Sequence, residues 1–267
     1  MRPNMKQSVV FALLLGLLVS IATLPGCDSA PSKSRPSETF AYVVSGVMVK
    51  EMNTDTASVA VDLQRNGSKH TLAEIIFDED TLAYNDPAFA IDSVYSFTAS
   101  PAETYGTGSV PVTVNDSTVF SDTIVAAIPD TLSITEFSPG NHLIPGNGSV
   151  TLAFSAAAGV EGYVVAAVLS DSAYVGKGWS AYTESLSSSG TITPDAFLGA
   201  DGQTPVPGLY NVYVYGFTGA PDSAASSLLL PVPLPDQLAD NIDRTDLTGH
   251  FGVVVVAVMD TVRVAQL

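Results

Sequence analysis

The sequence predicts an all-β protein, two β-sandwich domains in tandem behind an N-terminal signal helix and a flexible tether. Three observations lead there. Beyond residue 40 apolar residues recur with period two in short runs, turn-forming triplets separate those runs, and no stretch past the leader sustains helical spacing with caps. The chain has 267 residues, more than one small sandwich uses and comfortable for two β-domains of ordinary size.

Taken in order, residues 1–26 form the leader. Arg2 and Lys6 make a basic start, and Val9 to Ile21 is apolar apart from Gly16 and Ser20, a length that suits a cleaved signal better than a spanning helix. The stretch ends in Leu24-Pro25-Gly26-Cys27, and Cys27 is the single cysteine of the chain. Residues 27–37 are polar, rich in Ser and Pro, and hold nothing large enough to seed a core, so they read as a tether.

The first domain is expected over residues 38–130. Val59, Val61 and Leu63 interleave with Ala60 and Asp62, and Val110, Val112 and Val114 interleave with Pro111 and Thr113, the signature of half-buried strands. Asn66-Gly67-Ser68 and Asn115-Asp116-Ser117 fall between such runs and read as hairpin turns, and Asn147-Gly148-Ser149 further on reads as a turn. All three also match a glycosylation acceptor, and the turn is the preferred reading. Pro129-Asp130 closes the unit. A second domain follows over residues 132–262, with strands expected at Val150–Phe154, Gly162–Val165 and Pro207–Gly219. Phe251 to Val258 is read as the last strand, and its run Val253 to Val256 calls for burial on both faces or against residues 221–248.

Composition narrows the function. Net charge is −17, and both leader cations lie in the part expected to be removed, so the remainder repels nucleic acid and anionic headgroups. With Cys27 the sole thiol there are no disulfides, no second thiol to act as a nucleophile and no zinc–cysteine site. No Gly-x-Ser-x-Gly elbow, His-Glu-x-x-His or phosphate-cradling glycine loop occurs. His70, His142 and His250 lie far apart and read as surface or edge residues rather than a triad.

Candidate sites remain on carboxylates and aromatics. Asp78, Asp80 and Asp86 place hard oxygen ligands close together, a composition that suits calcium or, more simply, an acidic solvated loop. No other cofactor is expected. Asp236, Asp240, Asp243 and Asp246 recur at helical spacing and predict one polar face of a short helix. Tyr174, Trp179 and Tyr182 flank Gly176-Lys177-Gly178 in an expected loop, where exposed aromatics would stack a sugar or grip a protein chain; Trp179 as a core plug is the competing reading. Asn211, Tyr213, Tyr215 and Phe217 share one face of a strand and Tyr210, Val212 and Val214 the other, so one row must face a core and the other invites a cover or a partner.

Two resemblances rest on these residues. Leu24 to Cys27 resembles the lipobox of bacterial lipoproteins, which implies cleavage before Cys27, lipid on its sulfur, and a place in the bacterial cell envelope as a membrane-anchored lipoprotein. The strands of the second domain resemble B, C and F of a fibronectin type III or related immunoglobulin-like sandwich, with Tyr210 at the tyrosine corner; Phe154 stands where the family usually has tryptophan, and 221–248 is an insertion. The overall order is similar to that of uncharacterised surface lipoproteins. Together they imply a non-catalytic binding, adhesion or scaffolding module with a protein or carbohydrate ligand, the alternative being a carboxylate-dependent hydrolase of envelope polysaccharide.

Overall fold

The structure is a computed structural model that describes residues 41–52, 54–85, 93–99, 106–117, 119–145, 147–170, 178–183, 186–232, 234–235 and 240–265. The leader, Cys27, the tether, Tyr174 and Asp86 lie outside the described residues. From Phe40 the chain is one compact unit.

Its strands are β1 (Tyr42–Glu51), β2 (Thr56–Arg65), β3 (Ser68–Lys69), β4 (Glu74–Phe77), β5 (Asp80–Tyr84), β6 (Tyr95–Ala99), β7 (Gly108–Asp116), β8 (Phe120–Ile128) and β9 (Ile134–Ser138). There follow β10 (Leu143–Ile144), β11 (Val150–Phe154), β12 (Gly162–Leu169), β13 (Trp179–Tyr182), β14 (Ser189–Ile192), β15 (Gly208–Gly219), β16 (Ile242–Asp243) and β17 (Leu247–Val264). A 3-10 turn spans Pro194–Phe197 and a short helix, α1, spans Ser223–Leu229. The protein is thus all-β, as the period-two pattern requires.

One long sheet runs β13-β12-β15-β17-β1-β2-β6-β5-β4-β7-β8, and a three-stranded sheet runs β14-β11-β9. Residues 132–264 build a sandwich: β9, β11 and β14 face β12, β15 and β17 across a core of residues such as Leu152, Phe154, Val165 and Val214. Strands expected as B, C and F are β11, β12 and β15, and they fall in the two sheets as an immunoglobulin-like sandwich places them. Phe154 takes the tryptophan's place, its ring 4.7 Å from that of Tyr163. Tyr210 is the corner tyrosine, its hydroxyl donating to the Val206 carbonyl at 3.0 Å. Residues 42–128 curl the long sheet over a separate core, with Val61, Leu63, Val110, Val112 and Val114 all pointing inward. Asn66 and Gly67 both take positive φ at the hairpin between β2 and β3, the geometry of a two-residue primed turn.

The two cores divide in sequence at Ile128 and Leu132, yet they share a strand. β1 lies parallel to β17 from Tyr42↔Leu247 to Glu51↔Val256, while the second part of β17 pairs antiparallel with β15. On one face of β17, Phe251 and Val253 enter the first core and Val255 and Ala257 the second. A register shift opposite Tyr210 and Val212 inserts an extra residue in β17, which reverses the parity and lets Val262 and Val264 stay on the second core. The expected domains 38–130 and 132–262 therefore meet in one continuous sheet.

On the other face, Val254 and Val256 join Tyr213, Tyr215 and Phe217 in a third apolar cluster. Ala225 of α1 and Leu230, Val232 and Leu234 after it cover this cluster, and the Tyr215 hydroxyl donates to the Val232 carbonyl at 3.2 Å. The insertion thus buries the tyrosine row, and Val253 to Val256 are buried on both faces.

Candidate functional site

β13 ends the long sheet, paired on one edge with β12. The expected recognition loop Tyr174–Tyr182 is thereby corrected from Trp179 onward: these residues are an edge strand, because Ala166 and Ala167 of β12 leave an open register that they complete. Strand alternation sends the two aromatics to opposite faces. Trp179 packs half-buried against the second core and its Nε1–H donates to Asp195 Oδ2 at 3.2 Å. Tyr182 lies against the third cluster, edge-on to Phe217 with ring centroids 5.9 Å apart, and its hydroxyl donates to the Pro235 carbonyl at 2.9 Å. They do not form a shared platform.

Asp78 sits at the β4–β5 turn with positive φ and Asp80 opens β5. Among the described residues no three His, Cys, Asp or Glu side chains converge to hold a metal. Asp236 lies outside the described residues, and the short helix expected to carry it with Asp240, Asp243 and Asp246 is not formed at the described positions: Ile242 and Asp243 are claimed by β17, pairing with Gly249 and Thr248. Helix forms earlier, at Ser223–Leu229, where the Asp222 side chain caps it by accepting from the Ala225 N–H.

Two polar clusters were not legible in the spacing of these residues. Asp116, buried at the end of β7, accepts at Oδ2 from the Tyr42 hydroxyl (2.6 Å) and from Arg65 (3.1 Å), with His70 Nε2 3.0 Å away. Tyr42 stacks on Phe120, centroids 4.2 Å apart. Burial, reinforced by the Asp116 carboxylate, pushes the Tyr42 hydroxyl up to about 12. His70, 13% exposed, is thus an interior residue rather than a surface one.

The second cluster centres on His250 of β17, whose Nε2 lies 2.6 Å from Asp222 Oδ2 and whose Nδ1 lies 3.1 Å from Asp240 Oδ1. The hydrogen bond to Asp222 is the main influence raising the His250 pKa; partial burial opposes it and Asp240 adds to it. Burial would raise the Asp222 carboxyl, but bonds from His250 and the Ala225 N–H outweigh it and hold it below the ordinary range. His142, by contrast, packs its ring on Phe137, centroids 4.9 Å apart.

A shallow groove of about 220 Å³ opens where β8 faces β16, lined by Ile124, Val125, Asn241, Ile242, Asp243, Arg244 and Phe251. Arg244 reaches across it to the Asp122 carboxylate at 2.5 Å and the Thr123 carbonyl at 2.9 Å. Among the described residues of its lining, Asp243 is the one carboxylate.

No protein-family model and no curated protein match the chain. Among solved structures it is similar to the FN1–FN3 domains of chicken CNTN1, at 12% identity and a TM-score of 0.24, covering 65% of this chain and 58% of that one. A Ca2+-stabilized adhesin with which an Antarctic bacterium binds ice gives 10% identity and a TM-score of 0.23, covering 85% and 49%. The human OSCAR ligand-binding domain gives 12% and 0.24, covering 66% and 89%. The chain spans little more than half of the first of these and about half of the second. Superpositions this loose carry no functional argument; the sandwich assignment stands on the strand pairing described above.

Proposed function

We propose that this chain is an exported lipoprotein, anchored to a membrane through Cys27, that serves as a non-catalytic binding, adhesion or scaffolding module of the bacterial envelope. The observation that carries the reading is the continuous sheet. One strand runs through both cores and joins them, which suits a stiff spacer that holds a surface away from a bilayer. The recognition surface is placed at the β13 edge around Trp179, the large aromatic at that end of the sheet. Among the described residues no helix is long and apolar enough to cross a membrane.

The hydrolase alternative needs two facing carboxylates about 5–10 Å apart in a groove. In the β8–β16 groove the described lining holds Asp243, and the Asp122 carboxylate across it is engaged in an ion pair with Arg244, which favours the module.

Expression with radiolabelled palmitate tests the anchor. The label is expected in the membrane fraction of the full chain and absent from Cys27→Ser; a label-free, soluble parent protein refutes anchoring. Incubation with purified envelope polysaccharide tests the second half, since release of reducing ends that is lost in Asp243→Asn would establish the hydrolase.

A further inference from the structure

The segment that covers the tyrosine face is fastened at both of its ends to one residue of β17, His250. At its start, Asp222 donates its N–H to the Gly46 carbonyl at 3.2 Å, caps α1 through one carboxylate oxygen and meets His250 Nε2 with the other. Where the chain returns, Asp240 meets His250 Nδ1, and the Asn241 side chain holds the Phe251 backbone in both directions, Nδ2 donating to its carbonyl at 2.8 Å and Oδ1 accepting from its N–H at 3.0 Å.

A carboxylate on each ring nitrogen constrains the protonation state of the imidazole. Only the imidazolium has two N–H donors; the neutral ring has one, and would turn a lone pair toward the second carboxylate. The other charged groups on this side of the sheet do not compensate. Ser45 of β1 is the register partner of His250, beyond it Asp62 of β2 is paired with Lys69 at 3.1 Å, and Glu161 accepts from the Gly219 N–H. Among the described residues His250 therefore faces two carboxylates and no competing cation.

We propose that His250 is a pH-sensitive clasp: as the imidazolium it ties Asp222 to Asp240 and holds α1 and the residues after it over the tyrosine face, and on losing its proton it loosens that cover. The direction follows from linkage. A histidine whose folded pKa is raised contributes stability that is complete below the unfolded value near 6.5 and is lost as pH rises through the folded pKa. Asp222, held low, supplies its carboxylate until the pH falls through its own depressed pKa, so the clasp is tightest in the mildly acidic range. The inference does not depend on the lipid anchor or on any ligand.

Hydrogen exchange read by mass spectrometry on the chain beyond the leader tests it, with rates corrected for the intrinsic pH dependence. Peptides covering residues 222–232 are expected to exchange about tenfold faster above the His250 titration than below it, while peptides from β7 stay level. His250→Gln should abolish the step. Asp240→Asn, at a carboxylate whose side chain is 73% exposed and whose loss leaves the core untouched, should lower the histidine's pKa in a proton NMR titration and shift the step to lower pH. A step that persists in His250→Gln, or a His250 that titrates at or below 6.5 in the parent protein, overturns the proposal; should His250→Gln fail to fold, the Asp240→Asn titration decides it.

Discussion

Gly249→Ala probes the parallel pairing of β1 with β17. Gly249 sits opposite Val44 on β1 and opposite Ile242 on β16, at φ +117, a conformation that side-chain-bearing residues rarely adopt. A Cβ placed there would lie 2.0 Å from the Val44 carbonyl oxygen. Neither atom is at the end of a flexible side chain, so the backbones must separate. The backbone strain costs about 1–3 kcal/mol, and opening the ladder beside it adds roughly 1 kcal/mol for each hydrogen bond disturbed. The substitution is expected to destabilise the protein by about 3–5 kcal/mol. For a domain of this size that lowers Tm by roughly 6–20 °C, read by calorimetry or circular dichroism. Gly67→Ala is the control: it also has positive φ, at a turn where nothing lies within 4 Å of the added carbon, and should cost only about 1 kcal/mol. If Gly249→Ala melts with the parent protein, or no lower than Gly67→Ala, β1 does not lie against β17 as described.

Further outcomes follow from the same geometry. Trp179→Ala removes a half-buried ring and its bond to Asp195, and should cost about 2–3 kcal/mol in chemical denaturation; a loss under about 0.5 kcal/mol would show that the ring is not packed on the core. Tyr210→Phe deletes the corner hydrogen bond to Val206 and should cost about 1 kcal/mol. Ultraviolet titration should find Tyr42 ionising near 12 and Asp116→Asn bringing it down. Because the folded pKa is the higher one, stability from Tyr42 is complete below pH 10 and is lost as pH rises through 12; ionisation at 10 in the folded protein would contradict the buried contact with Asp116.

What the sequence disclosed were local consequences of burial. Val59, Val61 and Leu63 alternate because one face of β2 is core, Asn66-Gly67 turns because its backbone must, and Tyr210 stands out because a hydroxyl at that corner needs an acceptor nearby in sequence. Pairings across long sequence distances leave no such mark. The alternation of residues 42–51 says that a strand forms there but not that its neighbour begins at Leu247, and the apolar run Val253–Val256 says that both faces are buried but not that one face serves two cores. The aspartates at 240, 243 and 246 have helical spacing, yet the chain at 242–243 is held by the free edge of β17, and tertiary pairing prevails over spacing. His250 gave no signal, since Asp222 and Asp240 become its partners only when the insertion folds back across the sheet. Trp179 was readable as an aromatic of interest, but only the register of β13 with β12 shows that it and Tyr182 point apart.

β17 joins the two cores into one unit, and Leu152→Ala probes that union. Leu152 is fully buried in the second core on β11, a strand of the small sheet that has no ladder with β17. Its truncation should cost about 3 kcal/mol. Hydrogen exchange of the slowest amides is then measured in both cores, on β12 for the second and on β7 for the first. Both sets should accelerate together, by roughly a hundredfold. Protection that falls on β12 while β7 keeps its parent rates would mean two independent domains, and would contradict the shared strand as the element that unites them.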